Sequence, residues 1–344
     1  MKEINKKTIF SNLWMITWIV VSIGLASTIF KSNNTLIWVA VLVGGMMFYK
    51  MDIGMERKQA VVTIFGLFTL IGVSNQIAMI NPFLGIIINF ISLFLITYIP
   101  SKIVQAKPYM PFVLCYIFGQ SNPALGNDLK SRITSLLLGG LILGIIYYIG
   151  NRKTKCEKIK IKEEIKNIDM KSDRFILSIK MALGITIAMF IGDIIGLTKT
   201  MWIALSVMSI TQIDFNLTKE KFKHRIFSTI LGSIIFVILF KYLIPEHLTV
   251  IATLFLSYIY TFVKDYHIQI VFITVNALSS AMVLLDSTTA VWLRIILVII
   301  GCLIGYIINK MDFRKIFAKN MKKVNWKSKL YLEKVNSSYR LKAI

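Results

Sequence analysis

The sequence predicts an all-α, polytopic membrane protein with about 12 transmembrane helices in two six-helix repeats. Three observations predict it. Hydrophobic residues make up 56% of the 344 and charged ones only 17%, a balance foreign to soluble domains. Apolar runs long enough, or nearly long enough, to span a bilayer recur along the chain. The pattern of an arginine, six residues and a glycine occurs three times: RITSLLLG at Arg132–Gly139, RIFSTILG at Arg225–Gly232 and RIILVIIG at Arg294–Gly301. Two copies stand at matching places in the two halves.

In chain order the apolar runs lie near 12–30, 35–49, 59–74, 76–99, 108–120 and 132–149, then 175–197, 200–213, 225–244, 248–263, 267–285 and 291–309. The first has a basic start but no small-residue cleavage site after Phe30, so it reads as a span and not a signal peptide. The third and fifth are short. Asn81, Pro82 and Asn89 break up the fourth. The polar stretch NRKTKCEKIKIKEEIKNIDMKSDR, residues 151–174, is a basic cytoplasmic linker between a first repeat, 1–150, and a second, 175–310. TLIWVA and TKTMWIA align Trp38 with Trp202, and Asp52 and Asp214 each follow the second span of a half, as an internal duplication would leave them. Residues 311–344 form a basic tail. There Phe313, Ile316, Phe317, Met321 and Val324 recur at helical spacing among lysines, the pattern of an amphipathic helix lying on a membrane surface.

The net charge of +23 raises nucleic acid as a partner, but its placement excludes that reading. With the N-terminus inside, 33 of the 40 Lys and Arg fall in segments on the inner side. This bias puts both termini in the cytoplasm and the protein in the cell membrane as a multi-pass chain. The basic tail then meets anionic lipid headgroups. Cys115, Cys156 and Cys302 lack metal or redox spacing, and His224, His247 and His267 are scattered. No nucleotide loop, zinc motif or nucleophile elbow is present in the sequence, so no cofactor, metal or catalytic residue is expected.

The repeated motif carries the functional expectation. A seven-residue step places the arginine and glycine on nearly one helix face. Glycine allows close helix approach, as do the steps Gly140–Gly144 and Gly301–Gly305. Gly139, Gly144, Gly232, Gly301 and Gly305 are therefore expected at helix contacts. An arginine beside the free N–H groups of a helix start adds its charge to a positive dipole end, which calls for an anion. Arg225 is expected to capture an anionic substrate on the cytoplasmic side, and Arg132 and Arg294 to act near the outer mouth. Lys180 lies inside a span, where a charge costs several kcal/mol and is a functional candidate. Asp193 and Asp214 are candidate proton carriers, and Asn276 a polar group within the eleventh span.

These residues suggest a family. From Arg174 to about Pro245 the chain resembles the fusaric acid resistance-like, or aromatic acid exporter, superfamily. There a basic residue opens a span, a Trp begins the next, a Gln follows, and then comes an Arg, a Ser or Thr, and a Gly. Lys180, Trp202, Gln212 and Arg225–Thr229–Gly232 match in order. Trp38 and Arg132–Gly139 match more loosely. Ile213 stands where the family often has Pro, and the large cytoplasmic domains of many members have no counterpart beyond 151–174 and the tail. The resemblance implies efflux of aromatic or other organic anions. With no ATPase on the chain, transport is expected to be driven by the proton gradient or to run downhill, and a homodimer and a membrane-fusion protein are the candidate protein partners. An organic-anion channel of the malate-channel type, a membrane-embedded lipid-modifying enzyme and a scaffold subunit are the alternatives.

Overall fold

The computed structural model describes residues 6–152, 168–196, 199–282 and 285–317. Among these residues there is no strand, and twelve α-helices of ten residues or more follow one another. The first half gives α1 (Lys6–Phe30), α2 (Thr35–Phe48), α3 (Arg57–Ala78), α4 (Pro82–Tyr98), α5 (Met110–Gln120) and α6 (Asn127–Gly150). The second gives α7 (Asp173–Ile195), α8 (Met201–Ile210), α9 (Phe215–Val237), α10 (Thr249–Tyr260), α11 (Tyr266–Ala281) and α12 (Ser287–Lys310). Six are long and apolar enough to cross a membrane: α1, α3, α6, α7, α9 with its π-helical continuation Ile238–Leu243, and α12. They stand first, third and sixth in each half. The protein is thus a multi-pass, all-helical membrane protein.

The two halves share several pairings. α6 packs on α2 and α3, and α12 packs on α8 and α9. α7 lies along α4 of the other half, and α1 reaches α10. One apolar core runs through both halves, from Ile37, Phe48, Phe68 and Phe112 to Met181, Trp202, Val207 and Leu278. Outside it α1 exposes Phe10, Trp14, Trp18, Leu25 and Ile29, a face suited to lipid.

Small residues set how closely these helices approach. A Cβ on Gly301 would stand 2.4 Å from the Ile203 carbonyl oxygen of α8, and one on Gly305 2.8 Å from the Ile210 side chain. In α6, Gly139 faces Val41 of α2, and Gly144 faces Val61 of α3. Gly232 of α9 faces the Val271 carbonyl and Thr274 of α11.

Three sequence expectations need correction. The arginines of the repeated motif do not head their helices. Arg132 is the sixth residue of α6, Arg225 the eleventh of α9 and Arg294 the eighth of α12, so all lie beyond the first turn, where N–H groups are already bonded. Polar turns extend these helices upstream of the apolar runs. The Asp286 carboxylate accepts from the N–H groups of Thr288 and Thr289 at 3.0 and 3.3 Å, and Asp214 accepts from Asn216 at 2.9 Å. Asn81 and Pro82 do not interrupt a span but start one. Asn81 accepts from the Phe83 N–H at 2.8 Å and Pro82 is the first residue of α4. The third span is not short, because α3 has 22 residues.

The beginning of the tail is not free on a surface. Phe313 is buried, Phe317 stacks edge-on to Phe175 of α7 with centroids 5.5 Å apart, and Arg314 pairs with Asp173. Cys156, most of the linker, and Met321 and Val324 of the tail lie outside the described residues.

Candidate functional site

A cavity of about 730 Å³ lies between the two halves. The first half supplies apolar wall from α2 and α5, with Leu36, Val39, Leu114 and Phe118. The second supplies α8, α9, α11 and α12. Lining residues run the whole length of α11, from Tyr266 to Ala281, about 22 Å at 1.5 Å per residue. Five cations line it: Lys107, Lys199, Lys221, Arg225 and Arg294. No carboxylate among the described residues does.

The two arginines are the buried ones. Arg294 is 2% exposed, and its guanidinium sits 4.9 Å from the Trp202 ring centroid, a cation–π distance. Trp202 is in reach because Gly301 and Gly305 let α12 press against α8. Arg225 is 6% exposed and donates to the Ser209 Oγ at 3.2 Å, which in turn is 2.6 Å from the Tyr266 hydroxyl. The Nε of each arginine has no hydrogen-bond partner, and the two charges repel. Removing such groups from water without pairing them is costly, and an anion between them would offset that cost.

The remaining candidates fall elsewhere. Arg132 is 1% exposed, and its guanidinium makes four hydrogen bonds within the protein. It donates to Asn34 Oδ1 at 2.8 Å and to the carbonyl oxygens of Gly119 at 3.0 Å, Asn33 at 3.1 Å and Asn122. It clamps three segments of the first half and does not line the cavity. Lys180 is buried at 4% exposure and donates to the carbonyl oxygens of Gln212 and Ile213 at 3.4 and 3.3 Å. These close the C-terminal end of α8, where a cation meets the negative end of the helix dipole. Lys180 therefore stands behind the cavity wall. Gln212 itself lines the cavity, as does Trp202. Asn276 faces α10, donating to Ser257 Oγ at 3.1 Å, and is not in the lining.

The two carboxylates are not in the cavity either. Asp214 is exposed and spent as the cap of α9. Asp193 lines a second cavity of about 660 Å³, between α7 and the α3–α4 and α5 ends of the first half. There the Gln76 Nε2 and the Gln120 Oε1 have no partner.

Sequence reasoning missed Lys107, Lys199, Lys221, Ser209 and Tyr266. One signal was legible. Lys221 and Arg225 are four apart on α9, a like-charge spacing that weakens a helix unless something else uses it. The other signal is three-dimensional. Lys107 and Lys199 both have left-handed backbones, with φ of 55° and 62°, a conformation that costs a non-glycine residue free energy.

A family described as fusaric acid resistance protein-like matches residues 187–308. That stretch holds Trp202, Gln212, Arg225, Gly232 and Arg294, and the resemblance read from the sequence stands there. Lys180 and the first half lie outside the match. No curated protein and no solved structure matches this chain.

Proposed function

We propose that this protein is a secondary transporter that exports organic anions through the cavity between its halves, with aromatic carboxylates as the substrate class. The observation that carries this reading is a mostly apolar cavity with five cations and no described carboxylate. An apolar wall with Phe118 and Trp202 suits an organic body. Arg294 and Arg225 suit its carboxylate, because charge-assisted bonds are the strong kind. The fusaric acid resistance-like match over 187–308 supports transport in place of catalysis.

Arg225 is assigned to capture on the cytoplasmic side and Arg294 to the outer part of the path. The packing of α6 on α2 and α3 and of α12 on α8 and α9 supports two diverged six-helix repeats, and the inner-side bias of Lys and Arg supports both termini inside. Cysteines introduced at Lys160 and Lys199 should then label from inside and outside. Proton coupling, if present, falls to Asp193, the one of the two candidate carboxylates that lines a cavity.

The test is transport of a panel of organic anions in proteoliposomes, with and without a pH gradient. Saturable transport that a gradient accelerates, and that Arg225→Gln and Arg294→Gln reduce, supports the carrier. Non-saturating flux indifferent to the gradient would make the protein an anion channel instead. No anion flux at all would end the transport reading.

A further inference from the structure

At the end of the cavity built by the α4–α5 loop and the starts of α9 and α11, three cations converge with two hydroxyls. Lys107 comes from that loop, Lys221 and Arg225 from one face of α9, and Ser209 and Tyr266 complete the group. The Lys107 and Lys221 charges repel each other. Lys221 lies 4.9 Å from the Tyr266 ring centroid. Lys107 is held in a left-handed backbone, φ 55° and ψ 45°, with no glycine to relieve it. Arg225 is nine-tenths buried with its Nε unpartnered. Each feature is unfavourable alone: repulsion between like charges, a like-charge i, i+4 pair and a strained lysine. Their convergence on one point is what a multiply charged anion would stabilise.

The geometry points to a binding site for a tetrahedral, doubly charged oxyanion, a phosphate monoester group, at this end of the cavity. It rests on the anion-transport reading and deepens it. A monovalent carboxylate would leave two of the three charges uncompensated in an apolar setting, where unpaired charge is most costly. Lysine ammonium groups act as point charges from separate directions, which suits oxygens spread over a tetrahedron better than one planar carboxylate. The hydroxyls of Ser209 and Tyr266 add donors, and the apolar walls beyond them accept the organic part of an ester.

The experiment compares two ligands with the same ring, phenyl phosphate and benzoate, binding to the purified full-length protein at pH 7 and constant ionic strength, where a phosphate monoester is mostly doubly charged. Phenyl phosphate should bind at least tenfold more tightly. Lys221→Gln and Lys107→Asn should each reduce that preference to threefold or less. Asn is chosen at 107 because it tolerates a left-handed backbone. Lys130→Gln, which removes an exposed charge outside the cavity, should preserve the preference, and thermal melts establish that each variant is folded. Competition by glycerol 3-phosphate would identify a soluble ester as the ligand, and competition by phosphatidic acid in vesicles alone would identify a lipid headgroup. Equal binding of the two ring ligands, or a preference that survives both lysine substitutions, overturns the inference. Benzoate transport that persists in that case leaves the transporter reading intact, whereas phosphate binding without any organic-anion transport removes that reading and keeps the site.

Discussion

Arg132 and Arg294 occupy corresponding places in the two halves, and the fold uses them in opposite ways. Arg132 makes hydrogen bonds to Asn34 and to three backbone carbonyl oxygens. Arg294 has a Trp202 ring beneath it, an unpartnered Nε and a cavity in front. The neighbouring lysines follow suit. Lys31, just before α2, pairs with Asp128 of α6 at 2.6 Å. Lys199, just before α8, lines the cavity, and the position on α12 matching Asp128 is Ala290. The tryptophans diverge too: Trp38 stacks on Phe30 at 5.3 Å, while Trp202 faces Arg294. The same motif thus builds a structural clamp in the first half and an open cationic site in the second. What decides is whether local acceptors already satisfy the guanidinium.

The comparison breaks most visibly at Arg132. Arg132→Gln leaves buried carbonyl oxygens without donors and should destabilise the protein by about 2–4 kcal/mol. Thermal unfolding in detergent would measure it, and an unchanged melting temperature with lost anion binding would reverse the roles of the halves. Arg294→Gln should leave the melting temperature nearly unchanged and weaken binding of an aromatic carboxylate about tenfold to a hundredfold, the worth of one charge-assisted bond. Titration of benzoate onto both variants separates the two arginines directly.

The glycines sharpen the contrast. Gly301→Ala drives a methyl group into a backbone carbonyl of α8, whereas Gly139→Ala meets only the end of the Val41 side chain. The first should cost about 1–3 kcal/mol and the second less, measured by the same melts. It should also move Trp202 away from Arg294. Trp202→Leu removes the ring alone, and a loss of about threefold to tenfold in affinity is expected. The smallest effect belongs to Asp214→Asn. Asparagine caps a helix as well as aspartate does, so stability and the pH dependence of transport should both stay as they were. A lost pH response would return Asp214 to proton coupling.

The sequence by itself determined the fold class. Twelve apolar segments correspond to twelve α-helices among the described residues, six of them long and apolar enough to cross a membrane, because hydrocarbon obliges a crossing chain to satisfy every backbone group internally and helices do so locally. Trp202, Gln212, Arg225 and Arg294, all singled out in the sequence, line the cavity; the arginines stand out as charges against an apolar background, and Trp202 and Gln212 through the family resemblance. The starts of α1, α6, α9 and α12 were placed too late, because polar turns such as Ser287–Thr289 carry no hydropathy signal. Only the tertiary structure decided which arginine is free. Arg132 and Arg294 are each followed at once by an Ile and seven residues on by a Gly. The Asn34 side chain and the Gly119 and Asn122 carbonyls that consume Arg132 come from segments 98, 13 and 10 residues away. Likewise Lys107 and Lys199 are ordinary loop lysines in the sequence. They join the cavity because long-range packing brings the α4–α5 and α7–α8 turns to it, and the pattern of a single helix holds no record of that.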